Sequence, residues 1–123
     1  MQITSLDPQP RSYAGEGVLL SGAQRLLFIT AQVPEAADGS TPEGFQAQAR
    51  LAWQNLLGVL HRADMTERNL ARITIYLADR GHREDNSRIR HEMLGDHCPA
   101  LTAIITGILY ENWLIAIEAV AAS

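Results

Sequence analysis

From Phe45 to Leu60 the apolar residues Phe45, Ala49, Ala52, Trp53, Leu56 and Leu60 recur at the spacing of one helical face. Gln46, Gln48, Arg50, Gln54 and Asn55 fall on the opposite side. Thr41-Pro42-Glu43 supplies a start signal: threonine can cap free amides, proline suits the first helical position, and glutamate suits the positive end of the dipole. This predicts a long amphipathic helix that begins there and ends near Arg62. A second helix is predicted over Arg83–His97. Ile89, Met93 and Leu94 point inward, Glu84–Arg88 and Arg88–Glu92 are neighbours across a turn, and Gly95 and Pro99 bring it to a stop.

The remaining apolar runs are short. Val18–Ser21 and Arg25–Ala31 flank Gly22, Ala23 and Gln24 and read as a hairpin, followed by a loop over Val33–Ser40 with Pro34, Asp38 and Gly39. Ile73–Leu77, rich in β-branched and aromatic residues, reads as a strand. Leu101–Leu109 and Trp113–Ala121 close the chain as two strands with Tyr110, Glu111 and Asn112 between them. The order is β-β-α-β-α-β-β, a single α+β domain over residues 1–123 with an irregular segment over residues 1–15, and a mixed sheet with two helices on one face. A sheet face left in water alternates with polar residues. Neither of the last two strands has such a face. Two helices cover one side of the sheet, so the second side calls for another copy of the chain.

The 123 residues suit one domain, and 46% apolar with 20% charged residues is ordinary globular composition. No apolar run reaches the roughly 20 residues that span a bilayer. The segment Met1–Pro10 has neither a basic start nor an apolar core, so no signal peptide, no membrane partner and a cytoplasmic location are expected. The net charge is −4, and all 10 basic residues are arginines. The densest group, Arg80, Arg83, Arg88 and Arg90, shares its stretch with Asp79, Glu84, Asp85 and Glu92. That is an ion-paired helix face rather than a surface that tracks phosphates, so no nucleic-acid partner is expected.

Candidate chemistry is sparse. Cys98 is the only cysteine, which excludes a disulfide within the chain and a cysteine-based zinc site; it reads as a small residue closing a helix before Pro99. His61, His82, His91 and His97 lack ligand spacing, so no metal and no cofactor are expected. No serine stands in a G-x-S-x-G elbow, and Gly15 and Gly17 precede a strand rather than opening a helix. Glu118 stands out as a carboxylate on an otherwise apolar strand. It needs either a functional role or a structural hydrogen-bond partner, and the two readings weigh equally.

Several ordered pieces carry a resemblance. They are Leu27-Phe28-Ile29-Thr30-Ala31-Gln32-Val33-Pro34, Gln48 and Asn55-Leu56 on the first helix, and Ile73-Thr74-Ile75-Tyr76-Leu77-Ala78-Asp79. Asn86, Cys98-Pro99-Ala100 and Ile117-Glu118-Ala119-Val120-Ala121 complete the set. From about Gly17 onward the chain resembles the Rid family, also called YjgF or endoribonuclease L-PSP-like. The resemblance implies a chorismate-mutase-like fold, a homotrimer whose sheets form a central barrel, and small-molecule clefts between subunits. It also implies hydrolysis of enamine/imine intermediates to ketoacids and ammonia. There an arginine in a Pro-Ala-Arg motif grips the substrate carboxylate bidentately and a glutamate orients water.

Here the motif reads Pro99-Ala100-Leu101, and the water-orienting position, two residues before Glu118, is Ala116. Losing a charged clamp removes on the order of a few kcal/mol of binding from a carboxylate ligand. The cleft residues that the resemblance implies are Tyr13, Ala31, Asn86, Leu101, Thr102, Ala103 and Ala116, with Glu118 as the acid/base candidate. Four readings follow. The first is a homotrimer that binds a less anionic metabolite without the family's deaminase activity. The second is an active deaminase that uses another arginine, such as Arg25 or Arg11. The third is a non-enzymatic ligand-binding or regulatory protein. The fourth, an endoribonuclease, has the least support, because the chain is acidic, lacks lysine and offers no catalytic histidine pair.

Overall fold

The computed structural model describes residues 1–6 and 16–123. Its elements run Gln2–Leu6 (β1), Gly17–Ser21 (β2), Leu26–Gln32 (β3), Phe45–Arg62 (α1), Leu70–Leu77 (β4), Arg83–Leu94 (α2), Ala100–Ile105 (β5) and Ile115–Ala122 (β6). Antiparallel β1 and β2 form a ribbon of their own. The main sheet has the order β3-β6-β4-β5, in which only β4 and β5 run parallel, joined through α2.

Strand alternation decides what each face of the main sheet meets. Ile73, Ile75 and Leu77 of β4 and Ile115 and Ile117 of β6 join one buried cluster with Trp53, Leu56 and Leu60 of α1 and Ile89 and Leu94 of α2. Both helices therefore lie on that face. The opposite face presents Arg72, Thr74 and Tyr76 of β4, Ala116, Glu118 and Val120 of β6, Phe28 of β3 and Ile104 of β5. On it Phe28 keeps 73% of its surface exposed and Ile104 42%.

Several boundaries differ from the sequence expectation, each for a physical reason. Val18–Ser21 and Arg25–Ala31 are not a hairpin. β2 pairs with β1, while Gln24 and Arg25 donate their amides to the Ser123 carbonyl, which starts β3 against the C-terminal strand. The irregular segment expected over residues 1–15 gives way at Gln2–Leu6, where backbone pairing with β2 makes a strand. The α1 helix begins at Phe45 rather than at Thr41. Gly44, at φ 88°, turns the chain into the helix in a conformation that favours glycine, and no side chain caps it. The Thr41 hydroxyl instead accepts a hydrogen bond from Trp113 Nε1 at 3.2 Å.

The second helix stops at Leu94 because Gly95, at φ 59°, ends it with its amide on the His91 carbonyl. Arg88 pairs with Asp85, and Glu92 pairs with Arg50 of α1, in place of the expected Glu84–Arg88 and Arg88–Glu92 contacts. The expected strand Leu101–Leu109 ends at Ile105, and β6 begins at Ile115 rather than Trp113. β4 separates the two strands, so they are not neighbours across a turn.

Candidate functional site

Two hollows open on the helix-free face of the sheet. The first, about 380 Å³, is lined by Phe28, Thr30, Arg72, Thr74, Glu118 and Val120 together with Ile29 and Ala119. The second, about 460 Å³, is walled by Ala31, Val33, Tyr76, Ala116 and Trp113 and by the segment Thr106, Gly107, Ile108 and Leu109. Both volumes suit a small metabolite. A register shift between Ile29 and Gln32 in the β3–β6 pairing lets the consecutive residues Thr30 and Ala31 each reach a hollow, where a regular strand would point them to opposite faces.

Glu118 lines the first hollow and reaches the second only through Tyr76. It lies directly opposite Thr74, and Ala116 lies opposite Tyr76. The Tyr76 side chain therefore reaches across to its diagonal neighbour, and its hydroxyl donates to Glu118 Oε1 at 2.6 Å. That hydrogen bond, then burial and the negative charge of Glu118, push the Tyr76 phenol above its ordinary value, with Arg72 opposing. Glu118 thus has the partner that a carboxylate on an apolar strand requires.

The wall of the second hollow is pinned from behind by a residue that the helical pattern places on the polar side. Gln48 is buried. Its Nε2 donates to the carbonyls of Pro42 and Asn112 at 3.1 and 2.9 Å, and its Oε1 accepts from the Leu114 amide at 2.8 Å. It therefore grips the backbone on both sides of Trp113. Periodicity alone could not find it, because a glutamine used for its hydrogen bonds looks like a surface residue in a helical pattern.

The other expected cleft residues are dispersed. Ala31 and Ala116 meet at the second hollow. Leu101 packs against the hydrophobic core, on the same side of the sheet as Ile73, its partner in β4. Thr102 and Ala103 are exposed on the edge strand β5 and line neither hollow. Asn86 is buried on α2 with its Oδ1 unpartnered among the described residues, and it lines neither hollow. Tyr13 and Arg11 lie outside the described residues. Arg25, named as a substitute arginine, donates to Ser123 Oγ and to the Ala63 carbonyl and so serves the joint between the termini of β3, β6 and α1. The arginine that shares a hollow with Glu118 is Arg72, which the sequence reading did not single out.

Among the described residues no group of three His, Cys, Asp or Glu could hold a metal ion. No described helix is long and apolar enough to cross a membrane. His97 Nε2 lies 2.7 Å from the Leu70 carbonyl, and His82 stacks on Phe45 with ring centroids 4.3 Å apart, so both have structural partners.

The family profile described as endoribonuclease L-PSP matches residues 12–123. The chain belongs to this family, the Rid or YjgF family. A RutC family protein of Pyrococcus horikoshii is 29% identical over 101 residues, 80% of each chain. The Rid-family protein YyfB from Yersinia pestis superposes with a TM-score of 0.86 at 23% identity, covering 100% of both chains. E. coli TdcF, solved with bound serine, superposes with a TM-score of 0.75 at 20% identity, over 89% of this chain and 87% of its own. The α+β fold of this Rid protein is therefore the chorismate-mutase-like one expected from its sequence.

Proposed function

We propose that this Rid protein assembles as a homotrimer and binds a small, less anionic metabolite in hollows at the seams between copies, without the family's enamine/imine hydrolysis. One observation carries the reading. The position where the family's arginine would clamp a carboxylate holds Leu101, half-buried against the core, and the water-orienting position holds Ala116, part of an apolar wall. A site with neither clamp nor water-orienting carboxylate gives a carboxylate-bearing substrate little differential stabilisation. The serine in TdcF supports a ligand of amino-acid size on this fold. Self-association is supported by Phe28 and Ile104, large apolar side chains exposed on the helix-free face. In a trimer that face would turn inward, and the second hollow would gain a wall from a neighbouring copy.

The test is a thermal-shift screen with keto acids, imine precursors, aromatic acids and neutral metabolites. A neutral or weakly anionic compound is expected to raise the melting temperature most, since a ligand at about a hundred times its Kd adds about 2.7 kcal/mol. Stabilisation by keto acids above all others would contradict the reading. Stabilisation without turnover would place the protein among non-enzymatic binders.

A second reading rests on Arg72. An arginine beside Glu118 is the arrangement that a deaminase with a relocated clamp would need. Hydrolysis of 2-iminopropionate that disappears in Arg72→Ala would select it.

A further inference from the structure

We propose that the hollow walled by Ala31, Tyr76, Trp113 and Ala116 selects ligands that bring a hydrogen-bond donor, a primary amine or a hydroxyl on an apolar body, and that Tyr76 Oη is the acceptor that selects them. The inference rests on the reading of this hollow as a small-molecule site and names the ligand class it takes.

A phenol has one O–H donor and accepts through its oxygen. In this protein the Tyr76 proton is committed to Glu118 Oε1 at 2.6 Å. What remains for the hollow is an acceptor. A ligand N–H or O–H arriving there extends a chain that runs from ligand to Tyr76 to Glu118, in which each hydrogen bond polarises the next. A ligand carboxylate would meet that acceptor oxygen to oxygen, with the Glu118 carboxyl directly behind it.

The other lining groups do not reverse this preference. Ala31, Val33, Ile108, Leu109, Trp113 and Ala116 offer an apolar surface for the body of the ligand. The Thr106 hydroxyl can donate or accept, so it favours neither class. Arg72 faces the other hollow, beside Glu118, and lines no part of this one. Its charge offsets part of the carboxyl's effect on Tyr76 but gives a ligand in this hollow no donor.

Ala116 stands directly opposite Tyr76 and brings no acceptor of its own, so the carboxylate that takes the phenol proton is Glu118.

Three probes of similar shape separate the outcomes: benzylamine, benzyl alcohol and benzoate, titrated calorimetrically into the full-length protein and into Tyr76→Phe. The wild type is expected to bind benzylamine about tenfold tighter than benzoate, with benzyl alcohol also ahead of benzoate, and the order is expected to flatten in Tyr76→Phe, as loss of one ligand hydrogen bond dictates. Benzoate binding as tightly as benzylamine, or an amine preference that survives Tyr76→Phe, overturns the donor selection alone. Binding of none of the three overturns the small-molecule reading of the hollow, and this inference with it.

Discussion

Replacing Gln48 by leucine is expected to lower stability by about 3 kcal/mol, a fall in melting temperature of roughly 10 °C for a chain of this size. The volume is nearly kept, so the cost is polar. Three backbone groups lose their partner: the Pro42 carbonyl, the Asn112 carbonyl and the Leu114 amide. A buried group left unsatisfied costs about 1–3 kcal/mol, and the two loop carbonyls recover part of that by turning to water. The functional effect should exceed the thermal one. Gln48 holds the chain on both sides of Trp113, and Trp113 is a wall of the second hollow. Ligand-induced stabilisation should vanish in the variant even at temperatures where it remains folded. Thermal unfolding with and without the best ligand of the screen checks both effects. A fall of less than about 1 kcal/mol would mean that water replaces the side chain without loss.

Charging the helix-free face is expected to break the assembly. Under the proposed homotrimer, Phe28→Asp combined with Ile104→Asp should leave a folded monomer. Each phenylalanine buried at an interface contributes roughly 2 kcal/mol by apolar transfer, and a rotational assembly repeats that contribution in every copy. An aspartate in its place adds the cost of burying an unpaired charge, several kcal/mol per site. The monomer itself should tolerate both changes, because Phe28 and Ile104 are exposed in the single chain. Light scattering reads the outcome as mass, and far-ultraviolet dichroism verifies the fold. An unchanged mass would remove this face from the interface.

The long periodic elements were legible from the sequence, and elements set by distant pairing were not. The α1 stripe from Phe45 to Leu60 became the buried face as read, because a helix satisfies its own backbone and shows its period locally. The hairpin over Val18–Ala31 failed because strand partners are chosen non-locally. Gly22 turns the chain, but the Ser123 carbonyl decides where β3 pairs. The apolarity of the last two strands had two separate causes that sequence cannot divide. β6 is a central strand, flanked by β3 and β4, and reads as a continuous apolar run for that reason. β5 is an edge strand whose Ile104 and Ile105 are exposed, so the case for self-association rests on β5 and Phe28.

At the candidate site, Ala31 and Ala116 were legible through the resemblance and do share a hollow. Gln48 and Tyr76 were among the residues that carry the resemblance but were given no role at the site, and Arg72 was not singled out. Their roles depend on cross-strand register and on side-chain hydrogen bonds, which leave no period in the sequence.

The proposed loss of the family's hydrolytic chemistry is tested most directly by following 2-iminopropionate breakdown with the purified protein. With Leu101 packed half-buried against the core and Ala116 in an apolar wall, the rate should match that of buffer alone at enzyme concentrations where arginine-bearing relatives give rapid ketoacid formation. Acceleration comparable to those relatives would contradict the account.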